Sequence, residues 1–319
     1  MRFDASDAKF FLEIYNAKGV RRAAERLDVS ASLLSRRVRA LERSLGVTLL
    51  ERKSQGVALT AAGEIYARHV RDSLLEESRL RSELLELQGL KKGVVRIFSP
   101  EGYAVNLVTT TIVKFRAEHP GITFDLHTGS SERILVAVQE GAADIGLAFT
   151  PGHIAGVESA LSISAPLLAA MSPCHPLAGK RRLSLSEVVS CALALPDERF
   201  GIRRLVDTMC SIERLAAYPA LTTNSVAAMK NFARQNGGLT LLPQIAVEQE
   251  IRAGALVGVP LRNRTFNRTT IELCVLARRR LPLAVHTFLK ELKEQRLAEQ
   301  RGAGATAAQA ATKVHRTAQ

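Results

Sequence analysis

The sequence predicts an α+β chain in three successive parts: an all-α N-terminal domain, a long linker helix and a two-lobed α/β C-terminal domain. Three observations carry this prediction. Apolar side chains recur at helical spacing through residues 1–45, as in Phe10, Phe11, Ile14 and Tyr15. From Ala61 to Gln88 there is no proline, and no glycine but Gly63, in a stretch rich in Leu, Glu and Arg. From Val94 onward, short strand-like runs alternate with helical ones, the pattern of a parallel sheet with crossover helices.

The 319 residues suffice for two or three compact units, and 46% hydrophobic residues can supply their cores. No apolar run approaches the roughly 18 residues of a membrane span. Met1-Arg2-Phe3-Asp4 does not open a basic-then-apolar leader, so a cytoplasmic protein with no membrane partner is expected. Cys174, Cys191, Cys210 and Cys274 are scattered without a C-x-x-C pair, and are expected as reduced, mostly buried small hydrophobes. The net charge of +13 is unevenly placed: residues 1–60 carry 12 basic and 7 acidic side chains, 93–277 carry 17 and 15, and 278–319 carry 9 and 3. A basic end beside a near-neutral domain fits a nucleic-acid-facing module joined to an ordinary soluble one.

Asp4 can cap a first helix, which Gly19 breaks. A second short helix turns Ala23, Ala24 and Leu27 inward and Arg21, Arg22 and Arg26 outward. Asp28-Val29 makes the turn, and Ser30 is a good cap for a third helix. On a wheel of about 100° per residue, Leu34, Val38, Leu41 and Leu45 fall within roughly 60° of one another. Ser32, Ser35, Arg36, Arg39 and Arg43 fall opposite. One face packs, and the other offers hydroxyls and guanidiniums suited to base edges and phosphates. A solvated helix face would carry similar residues, but a short helix, a tight turn and this third helix have the geometry that enters a major groove. Residues 47–53 and 57–60 then read as a hairpin, or wing, around Ser54-Gln55-Gly56, with Arg52 and Lys53 near its tip. Thr60 caps the next helix.

Ala23-Ala24-x-x-Leu27-x-x-Ser30, Ser35, Leu41-Glu42, Leu45-Gly46, Leu49, Arg52 and Leu59-Thr60-x-x-Gly63 together resemble the LysR-type transcriptional regulators. The resemblance implies a winged helix-turn-helix over residues 1–60 that binds double-stranded DNA, with Ser30, Ala31, Ser32, Ser35, Arg36, Arg39, Arg52 and Lys53 as DNA-binding residues. Two positions depart from the family: Ala31-Ser32 stand where Gln-Pro is common, and Leu50 where Phe is common. Losing that Gln removes an adenine-reading amide, so operator preference does not transfer.

Residues 61–89 form the linker helix, which at about 1.5 Å per residue spans on the order of 40 Å. Its stripe of Tyr66, Val70, Leu74, Leu80, Leu84 and Leu87 needs a covering partner, since isolated helices are marginal. The stripe is irregular, interrupted at Glu77, so it can pack on its own domain. The resemblance implies pairing with another subunit, with Leu74, Leu80 and Leu84 as dimerisation residues. A homodimer or homotetramer would then bind a partly palindromic promoter site. Residues 89–93 make the hinge.

The C-terminal domain, 90–298, begins βαβαβ. Val94–Phe98 is a strand, 99–102 a loop, a helix runs to Glu118, Ile122–Leu126 is a strand, 131–140 a helix and Ala142–Phe149 a strand. Further strands follow at Cys191–Leu195, Leu239–Leu242 and Ile271–Leu276, with a helix at 225–235, one begun by Pro243 in its first turn, and one from Pro282 to about Ala298. The order suggests two lobes, 93–161 with 267–298 and 162–266, joined by crossovers near 161–166 and 261–270. Residues 299–319 lack apolar periodicity and are expected to be disordered. Arg96-Ile97, His119-Pro120, Asp144-Ile145-Gly146-Leu147, Pro173-x-His175-Pro176-Leu177 and Gly237-Gly238-x-x-x-Leu242-Pro243 resemble the effector domain of the same family, which is similar to type II periplasmic binding proteins.

That resemblance implies a small-molecule effector held between the lobes. Its expected lining is Ser99, Pro100 and Glu101 after the first strand, Thr128, Gly129 and Ser130 after the second, and Phe149 and Thr150 after the third. Thr222, Asn224 and Gly237 face them from the other lobe. Each serine or threonine alone could equally cap a helix. Glu101 either caps its own helix or faces the cleft, where Arg203 and Arg204 could pair with it. No cofactor, metal or catalytic residue is expected. His119, His127, His153 and His175 lie beside turns, and no Ser/His/Asp arrangement, phosphate loop or metal cluster is present in the sequence. The function expected is a sequence-specific, effector-controlled transcription regulator acting on RNA polymerase indirectly. The alternative is a DNA-binding regulator whose large domain only oligomerises.

Overall fold

A computed structural model describes residues 5–53, 56–86, 92–149, 155–277, 279 and 281–295. The predicted cap at Asp4, the Ser54-Gln55 turn, the hinge at 89–91, Thr150, His153 and the 299–319 tail lie outside the described residues. The chain divides into two compact units, Met1–Arg81 and Ser82–Gln319.

In the first unit, α1 (Ala5–Asn16), α2 (Val20–Leu27) and α3 (Ala31–Leu45) precede a hairpin of β1 (Leu50–Lys53) and β2 (Gly56–Leu59) and then α4 (Ala61–Glu86). Phe11, Ile14, Ala23, Leu34, Val38 and Leu49 are buried together with Tyr66, Ala67 and Val70 of α4. The family-like residues have local jobs. Ser30 Oγ accepts from Leu33 N, and Gly46 ends α3 at φ 69°. The Glu42 carboxylate accepts from Leu49 N (2.8 Å) and Leu50 N (3.2 Å), which fixes where β1 begins. Thr60 Oγ1 accepts from Gly63 N and donates to Thr48 O. A Cβ on Gly63 would stand 2.1 Å from Leu49 O, so only glycine fits the close approach of α4 to the wing.

The second unit holds two five-stranded sheets. The first, ordered β4-β3-β5-β12-β6, joins β3 (Gly93–Ser99), β4 (Ile122–Thr128) and β5 (Ile145–Phe149) in parallel, with β12 (Thr270–Leu276) antiparallel to both β5 and β6 (Val157–Ser164). The second, ordered β11-β7-β10-β8-β9, contains β7 (Leu167–Met171), β8 (Leu193–Leu195), β9 (Leu221–Thr222), β10 (Leu239–Pro243) and β11 (Val257–Pro260). Its β8, β9 and β10 run parallel, while β7 opposes β10 and β11.

The helices are α5 (Glu101–Tyr103), a π turn (Ala104–Val108) continuous with α6 (Thr109–Glu118), α7 (Ser131–Gln139), α8 (Leu185–Val189), α9 (Gly201–Ile212), α10 (Val226–Arg234), α11 (Gln244–Arg252), α12 (Arg264–Asn267) and α13 over 283–295. The chain passes between sheets at Ala165-Pro166 and again between β11 and β12.

Three details differ from the sequence expectation. Residues 161–164 belong to strand β6 and not to a crossover. Glu101 and Gly102 start a helix where a loop was expected. Pro243 ends β10 and stands just before α11, one position ahead of the expected first turn.

Candidate functional site

Two regions carry chemistry, one in each unit. In the first, α3 buries Leu34, Val38 and Leu41 and turns Ser32, Arg36, Arg39 and Arg43 outward, while Ser35 and Ala31 are half-buried. Arg36, Arg39 and Arg43 make no ion pair among the described residues, whereas Arg37 is spent on Asp7 (2.6 Å). An open groove along α3 is lined by these arginines and by Gly46, Val47 and Thr48. Ser30 is occupied as the cap, its Oγ 3.2 Å from Ser32 Oγ. Strand register sets Lys53 opposite Gly56, the pair of the wing nearest the connection between its strands; it pairs with Glu51 (2.8 Å), which raises its pKa. Arg52 lies in β1, opposite Val57. Of the expected dimerisation residues, Leu74 packs on the N-terminal core, while Leu80 and Leu84 are each 56% exposed.

In the second unit, a cavity of about 240 Å³ lies among the carboxyl ends of β3, β4, β5 and β10 and the starts of five helices. Such strand ends, with helix N-termini pointing inward, favour a ligand with an anionic or accepting group. Its wall is largely apolar, from Phe149, Phe200, Ile202, Met229 and Leu242. Among the described residues, no side chain caps the starts of α5, α7, α9 or α11. Arg133, in the first turn of α7, is exposed and makes no ion pair among the described residues. Arg199, by contrast, grips Asp197 with two bonds of 3.0 Å, and that hydrogen bonding lowers the Asp197 pKa.

Glu101 lines the cavity, but the helix that it caps is not its own. Its Oε2 accepts from Val226 N at 2.6 Å and its Oε1 from Ala227 N at 3.2 Å, so it caps α10 and not its own helix. Arg203 is held by Asp207 (2.9 Å) and Arg204 is exposed, so neither pairs with Glu101.

Pro100, Glu101, Thr128, Gly129, Ser130, Phe149 and Asn224 line the cavity as expected from their strand-end positions, and three residues do not. Ser99 is fully buried in β3 and its hydroxyl turns to Pro100 O. Thr222 lies on β9, the edge strand, with its side chain exposed. Gly237 packs on Phe232 at the C-terminal end of α10, whereas the cavity opens on that helix's N-terminal end. Sequence reading missed the Pro196–Ile202 wall because Asp197-Glu198-Arg199 reads as a turn. The apolar faces of α10 and α11, with Met229 and Ala246, were the available signal.

His119 and His127 stack on Phe115 and Phe98. His175 Nδ1 accepts from Leu177 N, and burial lowers its pKa. Burial raises Cys191 and Cys210 and pushes Cys274 up to about 12. Cys174 is exposed, against the expectation of burial, because it lies in the turn after β7. No group of His, Cys, Asp or Glu among the described residues could hold a metal ion, and no described helix is long and apolar enough to cross a membrane.

Two family models match the chain: the LysR substrate binding domain over residues 88–296, and the bacterial regulatory helix-turn-helix protein, lysR family, over 6–64. The HTH-type transcriptional activator IlvY of Salmonella typhimurium is 26% identical over 286 residues, 87% of this chain and 94% of that one. The probable hydrogen peroxide-inducible genes activator of Mycobacterium avium is 32% identical over 235 residues, 72% of this chain and 74% of that one. Full-length OxyR of Pseudomonas aeruginosa has the same fold, with a TM-score of 0.68 at 19% identity, covering 92% of this chain and 95% of that one.

Proposed function

Because the chain belongs to the LysR-type transcriptional regulators, DNA-binding proteins with an effector-binding domain, we propose that α3 reads promoter DNA and that the cavity takes the effector. The observation that carries the first half is the outward face of α3, where Arg36, Arg39 and Arg43 make no ion pair among the described residues. Arg36→Ala or Arg39→Ala should cost about 1–3 kcal/mol of operator binding where the side chain reads a base. Arg52→Ala on the wing should instead weaken all sequences alike and flatten the salt dependence. Lys53→Ala should do less, since Glu51 already engages that ammonium. Fluorescence anisotropy on operator and scrambled duplexes separates these outcomes. Equal loss on both duplexes for Arg36 and Arg39 would remove base reading from α3.

The effector that suits the cavity is small and mostly apolar, with an anionic end facing Arg133 and the start of α7. The protein is inferred to act as a homodimer or homotetramer on a partly palindromic site, and on RNA polymerase only indirectly, through its placement on the promoter.

The Mycobacterium avium relative is named for hydrogen peroxide-inducible genes, and a thiol of this chain that reacts with peroxide would be the alternative to effector binding. Burial raises the pKa of Cys191, Cys210 and Cys274, which counts against a reactive thiol at those three positions, since the thiolate is the form that reacts. In the native protein at pH 8, a maleimide titration should therefore label Cys174 quickly and the other three only after unfolding. Fast labelling of a second thiol would reopen the peroxide reading.

A further inference from the structure

Among the described residues, Glu101 is the one carboxylate that lines the cavity. It is carried by α5, directly after β3 of the first sheet, yet both its oxygens lie on α10, which leads into β10 of the second sheet. With Ser225 Oγ accepting from Ala228 N (3.2 Å), the first three N–H groups of α10 are all satisfied, two of them by a residue 125 positions away. Two neighbours of Glu101 reach the same side. Asn106 Nδ2, in the π turn, donates to Ile245 O of α11 at 2.9 Å. A Cβ on Gly102 would fall 2.6 Å from that of Ala246, so a glycine here lets α5 press on α11. The contrast with α7, α9 and α11, whose starts carry no side-chain cap, is specific to α10.

Two inward N–H groups at the positive end of a helix are what an anionic ligand group would seek. We propose that Glu101 is a built-in occupant of that place, which latches the two sheets across the cavity and denies the α10 end to the anionic group of a ligand. An anion is thereby left to the α7 end, beside Arg133. This second consequence rests on the cavity being the effector site; the latch itself does not.

Removing the carboxylate should leave Val226 N and Ala227 N bare and create an anion slot that the native protein lacks. The test is residue-level hydrogen exchange on the full chain without effector. In Glu101→Ala, exchange at Val226 and Ala227 should rise about tenfold or more, while core amides such as Leu147 and Leu241 keep their protection. Glu101→Gln, which keeps the shape and one acceptor, should raise the same two amides less. Added acetate should restore protection in Glu101→Ala and leave the native protein unchanged, with chloride at equal ionic strength as control. Unchanged exchange at Val226 and Ala227 would overturn the latch, and so would a general loss that includes Leu147 and Leu241. A rise that acetate does not reverse would overturn the exclusion of anions. Failure to find an effector would leave all of these readings standing, so the two ideas fail separately.

Discussion

Asp144→Ala is expected to lower the stability of the C-terminal unit by about 3–5 kcal/mol, because it leaves a buried guanidinium without its counter-charge. Asp144 is 2% exposed. Its Oδ1 accepts from Arg279 Nη1 at 2.9 Å, and its Oδ2 accepts from Arg96 N at 3.0 Å. The Arg279 side chain is itself 8% exposed, and among the described residues its Nε has no hydrogen-bond partner and its guanidinium no second carboxylate. The triad ties together β3, the start of β5 and the chain leaving β12, three segments that are remote in sequence. In calorimetry the loss should appear as a fall of roughly 10 °C in the transition of this unit. Replacing both partners by apolar residues, Asp144→Leu with Arg279→Met, should recover much of it, since a buried pair can be exchanged for packing at little cost. A loss below about 1 kcal/mol for the single change would mean that water reaches Arg279.

How much of this was legible in the sequence depended on whether the physics was local. The two faces of α3 are set by a period of 3.6 residues inside one helix, so Leu34, Val38 and Leu41 could be separated from Arg36 and Arg39 before any fold was known. Strands β3, β4 and β5 were bounded by Pro and Gly and divided by helices, and they emerged in the expected parallel order. Strands β6, β7 and β11 did not declare themselves. Val157–Ser164 is an edge strand whose apolar Val157, Leu161 and Ile163 are interrupted by Glu158 and three serines, and Leu-Leu-Ala-Ala-Met is buried on both faces and so shows no alternation.

The cavity divides along the same line. Its first wall consists of loops that follow strands, which sequence can place. Its second wall is assembled from the starts of α9, α10 and α11, whose meeting is a tertiary event. Glu101 shows the limit most sharply. An acid at a helix start suggests a cap, and it is a cap, but the helix it serves lies 125 residues away. The matched residues Glu42, Gly63 and Asp144 were recognisable as a pattern before their reasons were. The reasons are a strand anchor, a close approach and a buried ion pair.

Leu80→Glu combined with Leu84→Glu should convert the protein to monomers at micromolar concentration and reduce operator affinity by about 100-fold or more. Helix α4 divides its apolar stripe between two uses. Tyr66, Ala67 and Val70 are buried in the N-terminal core, and Leu74 packs against it, so the early part of the stripe is already covered. Leu80 and Leu84 lie one turn apart on the same face and are each 56% exposed. A helix this long gains little from its own backbone, and a second copy of α4 offers the matching leucines. Pairing there would bring two copies of α3 onto one duplex, and the second contact would then benefit from an effective concentration that a monomer lacks. Light scattering reads the oligomeric state and anisotropy reads the affinity. Leu74→Glu serves as the control: it should unfold the N-terminal unit, visible as a loss of thermal stability, and not merely release monomers. Pairing through α4 would be excluded by a double variant that stays dimeric with native affinity, or by a native protein that is monomeric at micromolar concentration.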